Sequence, residues 1–129
     1  MYGNTTGSYN IAIGESTRYG GTTGSQNVGV GPFAIRAVST ASNNTALGYA
    51  AGYNTAGANN TIIGNAAMFE STAGASNVMI GYLAGYRETG SNTFMIDNRS
   101  RTSEAAARTE ALMYGTFAAT AIAQQVTIN

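Results

Sequence analysis

Apolar residues along this chain fall in short alternating clusters, separated by stretches rich in Gly, Ala, Ser, Thr and Asn. Each cluster opens on Asn, and the first five close on Gly: Asn10-Ile-Ala-Ile-Gly14, Asn27-Val-Gly-Val-Gly31, Asn44-Thr-Ala-Leu-Gly48, Asn60-Thr-Ile-Ile-Gly64 and Asn77-Val-Met-Ile-Gly81. A sixth, Asn92-Thr-Phe-Met-Ile96, lacks the Gly. Successive starts lie 17, 17, 16, 17 and 15 residues apart. A fixed period of this size predicts an all-β solenoid or β-prism of about six coils, one repeat to a turn.

With the opening Asn as position 0, position +1 is β-branched throughout (Ile11, Val28, Thr45, Thr61, Val78, Thr93). Position +3 is aliphatic in every repeat (Ile13, Val30, Leu47, Ile63, Ile80, Met95). Strand side chains alternate, so +1 and +3 share a face. β-branched residues suit a pleated surface, and this face is assigned to the interior. Position +2 then points outward, as Ala12, Gly29, Ala46, Ile62, Met79 and Phe94. A strand apolar on both faces needs cover on both, and soluble monomers avoid a bare apolar stripe. Either other copies of the chain cover the +2 column, or it is a second core face within one chain.

Position +4 is Gly in five of six repeats, the residue for positive φ or close backbone approach. Position +7 (Thr17, Ala34, Ala51, Ala67, Ala84) is small enough for a tight inner corner. Position +9 (Tyr19, Arg36, Tyr53, Phe69, Tyr86) predicts a column with rings about 5 Å apart, one strand spacing. The Asn column reads as turn caps or as a coil-to-coil hydrogen-bonded ladder. Both roles are structural.

Composition narrows the function. The 129 residues include no Cys, no His, no Trp and no Lys, and six Arg balance six acids. A net charge of zero gives no field for nucleic acid. Without His or Cys the usual nucleophile–base pairs and transition-metal clusters are missing, so no catalytic, cofactor or metal residues are assigned. No apolar run is long enough to cross a membrane. Disorder is rejected, because Ile, Val and Thr recur at fixed phase.

Residues 1–96 form the repeat region and 97–129 a transition or cap. Half of the charges lie in 97–110. Ser103-Glu-Ala-Ala-Ala107 reads as the opening of a short helix or as a surface loop. Residues 111–117 and 125–128 read as strands with a short connection. Tyr2 precedes Tyr19 by one period, and Val126-Thr-Ile-Asn129 has no terminator, so both ends read as cuts through a longer fibre.

The Asn-x-Ala-[Ile/Leu]-Gly repeats resemble the head repeats of YadA-like trimeric autotransporter adhesins. They are still more similar to the longer, Asn- and Tyr-rich versions in bacteriophage tail fibres, as in Asn44-Thr-Ala-Leu-Gly-Tyr-Ala-Ala-Gly-Tyr53. Phe94-Met-Ile-Asp-Asn-Arg-Ser100, Leu112-Met-Tyr-Gly-Thr-Phe117 and Val126-Thr-Ile-Asn129 are similar to the segment that follows such repeats. The resemblance implies a parallel homotrimer with a left-handed solenoid or prism, displayed on a virion tail or, alternatively, on a bacterial surface. The expected function is a structural, host-receptor-binding segment without enzymatic activity. Its expected partners are other copies, other tail proteins and a host glycan or similar polymer. The +2 column is the expected trimer interface. Tyr49, Tyr53, Tyr82, Tyr86, Arg99, Arg101 and Arg108 are candidate receptor contacts, although the tyrosines also suit packing of coil on coil. An ice-binding face through Thr45, Thr61 and Thr93 is a third expectation, weakened by Ile11, Val28 and Val78 in the same rank.

Overall fold

The computed structural model describes residues 2–37, 40–99, 101–117 and 125–129. Six short strands, β1 (Ile11–Ile13), β2 (Val28–Val30), β3 (Thr45–Leu47), β4 (Thr61–Ile63), β5 (Val78–Ile80) and β6 (Thr93–Ile96), stack in parallel in chain order. Each belongs to the next turn of a β-solenoid, with five turns completed before the pattern changes at β6. A seven-residue helix, α1 (Glu104–Glu110), follows. Two antiparallel strands, β7 (Met113–Thr116) and β8 (Gln125–Ile128), then extend the same sheet. The expected connection between them falls in 118–124, outside the described residues.

The first four strand pairs hold the register expected from the repeat, Ile11 on Val28 through Ile63 on Ile80. The last pair differs. Val78 lies beside Phe94 and Met79 beside Met95, so the sixth repeat is counted from Thr93, not from Asn92. Backbone conformation explains the slip. Tyr9, Gln26, Asn43, Asn59 and Ser76, each one before position 0, all have φ of 57–62°, and Asn92 has 60°. Asn92 therefore fills the left-handed position that Asn tolerates, and Thr93 takes over as position 0.

The interior is the opposite face from the one expected. Ala46, Ile62, Met79 and Met95 at +2 are fully buried within the chain, while Ile11, Ile13, Leu47 and Ile63 at +1 and +3 are 51%, 60%, 49% and 38% exposed. Of the +2 residues named as a trimer interface, Gly29, Ala46, Ile62 and Met79 are buried inside the chain itself, Ala12 is half-buried in the first coil, and Phe94 is a +1 residue on the outer face. Position 0 alternates with +1, so the Asn column also points inward, and Asn27, Asn44, Asn60 and Asn77 are buried. A three-residue strand turns its central residue, +2, to the same side as the Asn of position 0, and that inward column runs from Gly29 and Ala46 to Ile62 and Met79.

A buried Asn must satisfy both ends of its amide. The ladder does so. Asn27 Oδ1 accepts from Asn44 N–H at 3.0 Å and from Asn44 Nδ2 at 3.2 Å, and Asn44 Oδ1 accepts both donors of Asn60 at 3.0 Å. The amide groups also donate to carbonyls flanking the coil junction, as Asn60 does to Gly57 and Gly74 at 3.1 Å. Thr93 closes the ladder, its N–H and hydroxyl both bonding Asn77 Oδ1 at 2.8 Å.

Position +4 needs Gly on two counts. Gly48 has φ of 136°, and a methyl group there would lie 2.6 Å from the Gly64 carbonyl oxygen of the next coil. The inner corner is the Thr17, Ala34, Ala51, Ala67, Ala84 column, all buried.

Lumen volume is traded between positions +8 and +11. Arg18 stands with Gly21 and Met68 with Ser71, whereas Gly52 stands with Thr55 and Gly85 with Glu88. All eight are buried. A methyl group on Gly21 would meet Arg18 Cγ at 2.6 Å, and one on Gly52 would meet Ile62 Cδ1 at 2.8 Å. The coils with Gly at +8 are the 16-residue ones, shortened between +9 and the next Gly. Arg18 is the costly occupant. Its Nη2 donates to the Gly24 carbonyl, Nε and Nη1 have no partner, and burial lowers its pKa.

Candidate binding surfaces

Three surfaces remain once the lumen is filled. The first is the outer sheet face. Antiparallel pairing sets Gly115 and Val126 beside Phe94, and Met113 and Ile128 beside Ile96. The +1 and +3 columns therefore continue without a break onto β7 and β8, while Met95 and Tyr114 face the core. Eight strands at about 4.8 Å spacing make a strip roughly 34 Å long. No charged residue stands in it. At its C-terminal end Gly115 leaves a hollow of about 310 Å³, walled by Phe94, Met113, Phe117 and Val126. Thr45 and Thr61 lie on this face, but Thr93 is buried at position 0, which removes it from the rank expected of an ice-binding surface.

The second surface is the corner after the strand. The +9 column stacks as expected and extends one step lower. Tyr2 and Tyr19 are 5.1 Å apart between ring centres, Tyr53 and Phe69 4.7 Å, and Phe69 and Tyr86 5.3 Å. Arg36 takes the ring position between Tyr19 and Tyr53, its guanidinium carbon 5.4 Å from each centroid, and donates to the Tyr53 hydroxyl. The flat, delocalised cation substitutes for an aromatic ring there. Tyr53 and Tyr86 are thus half-buried column members. Burial, reinforced by Glu70, raises the Tyr86 pKa. Tyr49 and Tyr82, at +5, stand exposed beside the column. Tyr49 meets Phe33 edge-on at 5.6 Å and 81°. Phe33, Tyr49, Ala50, Tyr53 and Phe69 together line a cleft of about 230 Å³.

The third surface is the charged segment. The Ser103 hydroxyl accepts from Ala106 N–H at 3.1 Å and caps α1, so the helical alternative holds here. Ala107 and Ala111 turn onto the core. Arg108 reaches back to Glu88, buried in the last coil, at 2.6 and 3.1 Å. Its pKa is raised, chiefly by that bond. Arg101 is 9% exposed in its side chain and pairs with Asp97 at 2.7 Å and Glu110 at 3.0 Å. The Asp97 bond raises the Arg101 pKa. Asp97 and Asn98, directly after β6, are fastened by Arg101 on Asp97 and by Tyr82 N–H on Asn98. Of the three arginines proposed as receptor contacts, two fasten the cap and Arg99 alone is exposed.

No protein family, curated protein or solved structure matches this chain. No helix among the described residues is long and apolar enough to cross a membrane.

Proposed function

We propose that the chain is a non-enzymatic structural and receptor-binding segment of a trimeric fibre, of the kind displayed on a virion tail. The observation that carries this reading is the uncharged strip on the outer sheet face. It runs from β1 to β8 and persists through the change from parallel to antiparallel pairing. Sequence alternation that merely filled a lumen has no need to keep Val126 and Ile128, on a wholly exposed strand, in line with Ile11 and Ile13. Three copies set around a common axis cover one another's strips and leave the tyrosine-bearing corners outside. The resemblance of the repeats to tail-fibre and adhesin heads supports the number three and the display on a surface.

Sedimentation equilibrium tests the assembly. The expected mass is three times 13.2 kDa at micromolar concentration. Leu47→Glu with Ile63→Glu, both on the strip, is expected to yield folded monomer. A folded wild-type monomer refutes the proposal.

A further inference from the structure

We infer that the cleft between Tyr49 and Tyr53 is a binding site for one saccharide ring that carries no cationic group. The inference rests on the reading of the chain as a displayed binding segment and names the chemistry of one contact on it. Ala50 floors the cleft, with the rings of Phe33, Tyr49, Tyr53 and Phe69 around it. Position +6 holds Phe33 one coil below and Leu83 two coils above, on the same left-handed backbone, with φ of 60°, 51° and 58° in the order Phe33, Ala50, Leu83. Where Phe33 and Leu83 place bulk, Ala50 leaves a floor, and its volume of about 230 Å³ lies below that of a drug-sized pocket. It admits a single ring.

The walls select the kind of ring. Tyr53 and Phe69 are stacked at 20°, so their faces are committed to the column and their edges remain. Aromatic edges carry partial positive charge. The Arg36 guanidinium bonds the Tyr53 hydroxyl beside them, and no carboxylate lines the cleft. An organic cation is therefore repelled, although an aromatic enclosure alone would attract one. A polyhydroxylated ring suits both features. Its oxygens face the positive edges, and its C–H face packs on the Phe33–Tyr49 pair, whose perpendicular rings leave a face uncovered. The Tyr49 hydroxyl makes no hydrogen bond among the described residues and is available to the ligand.

Saturation-transfer difference NMR on the whole chain tests this, with the methyl glycosides of glucose, galactose, mannose and N-acetylglucosamine as probes and tetramethylammonium as the cationic control. At least one glycoside is expected to receive saturation. The signal should fall about fivefold in Tyr49→Ala, the loss of one aromatic wall. It should fall as far in Ala50→Phe, a residue that the same backbone position already holds at Phe33. Tyr82→Ala should leave it unchanged. Failure of all four glycosides, preference for tetramethylammonium, or indifference to both cleft variants overturns the inference. Sedimentation of the same samples separates the two readings, since a trimer that takes no sugar sinks only the cleft and a monomer that binds one sinks only the assembly.

Discussion

Ile62 and Ile63 are neighbours on β4 that do opposite work, and truncating each tests the inverted face assignment. Ile62 is fully buried, and its Cδ1 occupies the space that Gly52 leaves in the coil below. Ile62→Ala removes that side chain over a residue with nothing to move into the void, so a loss of about 3–4 kcal/mol is expected, within the span for such truncations. Gly52→Ala alone is also unfavourable. Its φ of 63° costs a Cβ-bearing residue about 1–2 kcal/mol, and the new methyl lies 2.8 Å from Ile62 Cδ1, adding about 1–3 kcal/mol of overpacking. Combined, the methyl enters the void and the overpacking vanishes. The double variant is therefore expected to be more stable than the sum of the singles by at least about 1 kcal/mol. Urea denaturation followed by circular dichroism, at one fixed protomer concentration, measures all three. A cost below about 1 kcal/mol for Ile62→Ala, or strict additivity, would refute the packing argument. Ile63→Ala should leave the stability of a dissociated subunit within about 1 kcal/mol.

Other variants probe the remaining supports. Asn44→Ala strips the acceptor shared by both Asn60 donors and should cost about 2–4 kcal/mol, with loss of amide-exchange protection centred on β3 and β4. Gly48→Ala, which sets a methyl against the next coil, should abolish folding at expression temperature, whereas Gly20→Ala, 3.4 Å from its nearest neighbour, should purify normally. Arg108→Ala leaves Glu88 buried without its cation. The expected loss is about 2–3 kcal/mol, less than for a fully enclosed pair because Arg108 is 36% exposed, and Glu88→Gln in the same chain should restore part of it. A bond from the Thr89 hydroxyl, with Arg108 nearby, holds the Glu104 pKa below the ordinary carboxylate value. A depressed acid stabilises the fold above its unfolded pKa and loses that contribution as pH falls through the folded one. Acid should thus expose the Ala107 and Ala111 amides to exchange before those of β3, and uniform loss of protection would count against the cap being fastened there.

The period, the parallel register of five strands, the inner corner and the aromatic column were all legible in the sequence, because each repeats at fixed phase. The face assignment was not. Hydropathy favours +1 and +3 as core, yet the central residue of each three-residue strand is the one turned inward, whether it is Gly29, Ala46 or Ile62. The clue lay in position 0, since an Asn recurring on the same face as +2 marks a polar ladder that suits a lumen. The exchange of Arg18 and Gly21 for Gly52 and Thr55 was equally present and points to one shared volume. The slip at Thr93 was hidden because Asn92 imitates the opening residue, and only its backbone angle shows its true place. Nothing in the chain's composition distinguishes Arg101 and Arg108, turned onto Asp97 and Glu88, from Arg99, which is left outside.

Most coils meet the next through like positions: Asn on Asn, Gly on Gly, ring on ring, with Arg36 standing in for one ring and Thr93 for the last Asn. A gene encoding such a stack can grow or shrink by in-frame copying of 16 or 17 codons, because the duplicated turn presents the same docking pattern above and below. Overall reach is therefore heritable as a count of turns, adjustable without redesign of either end.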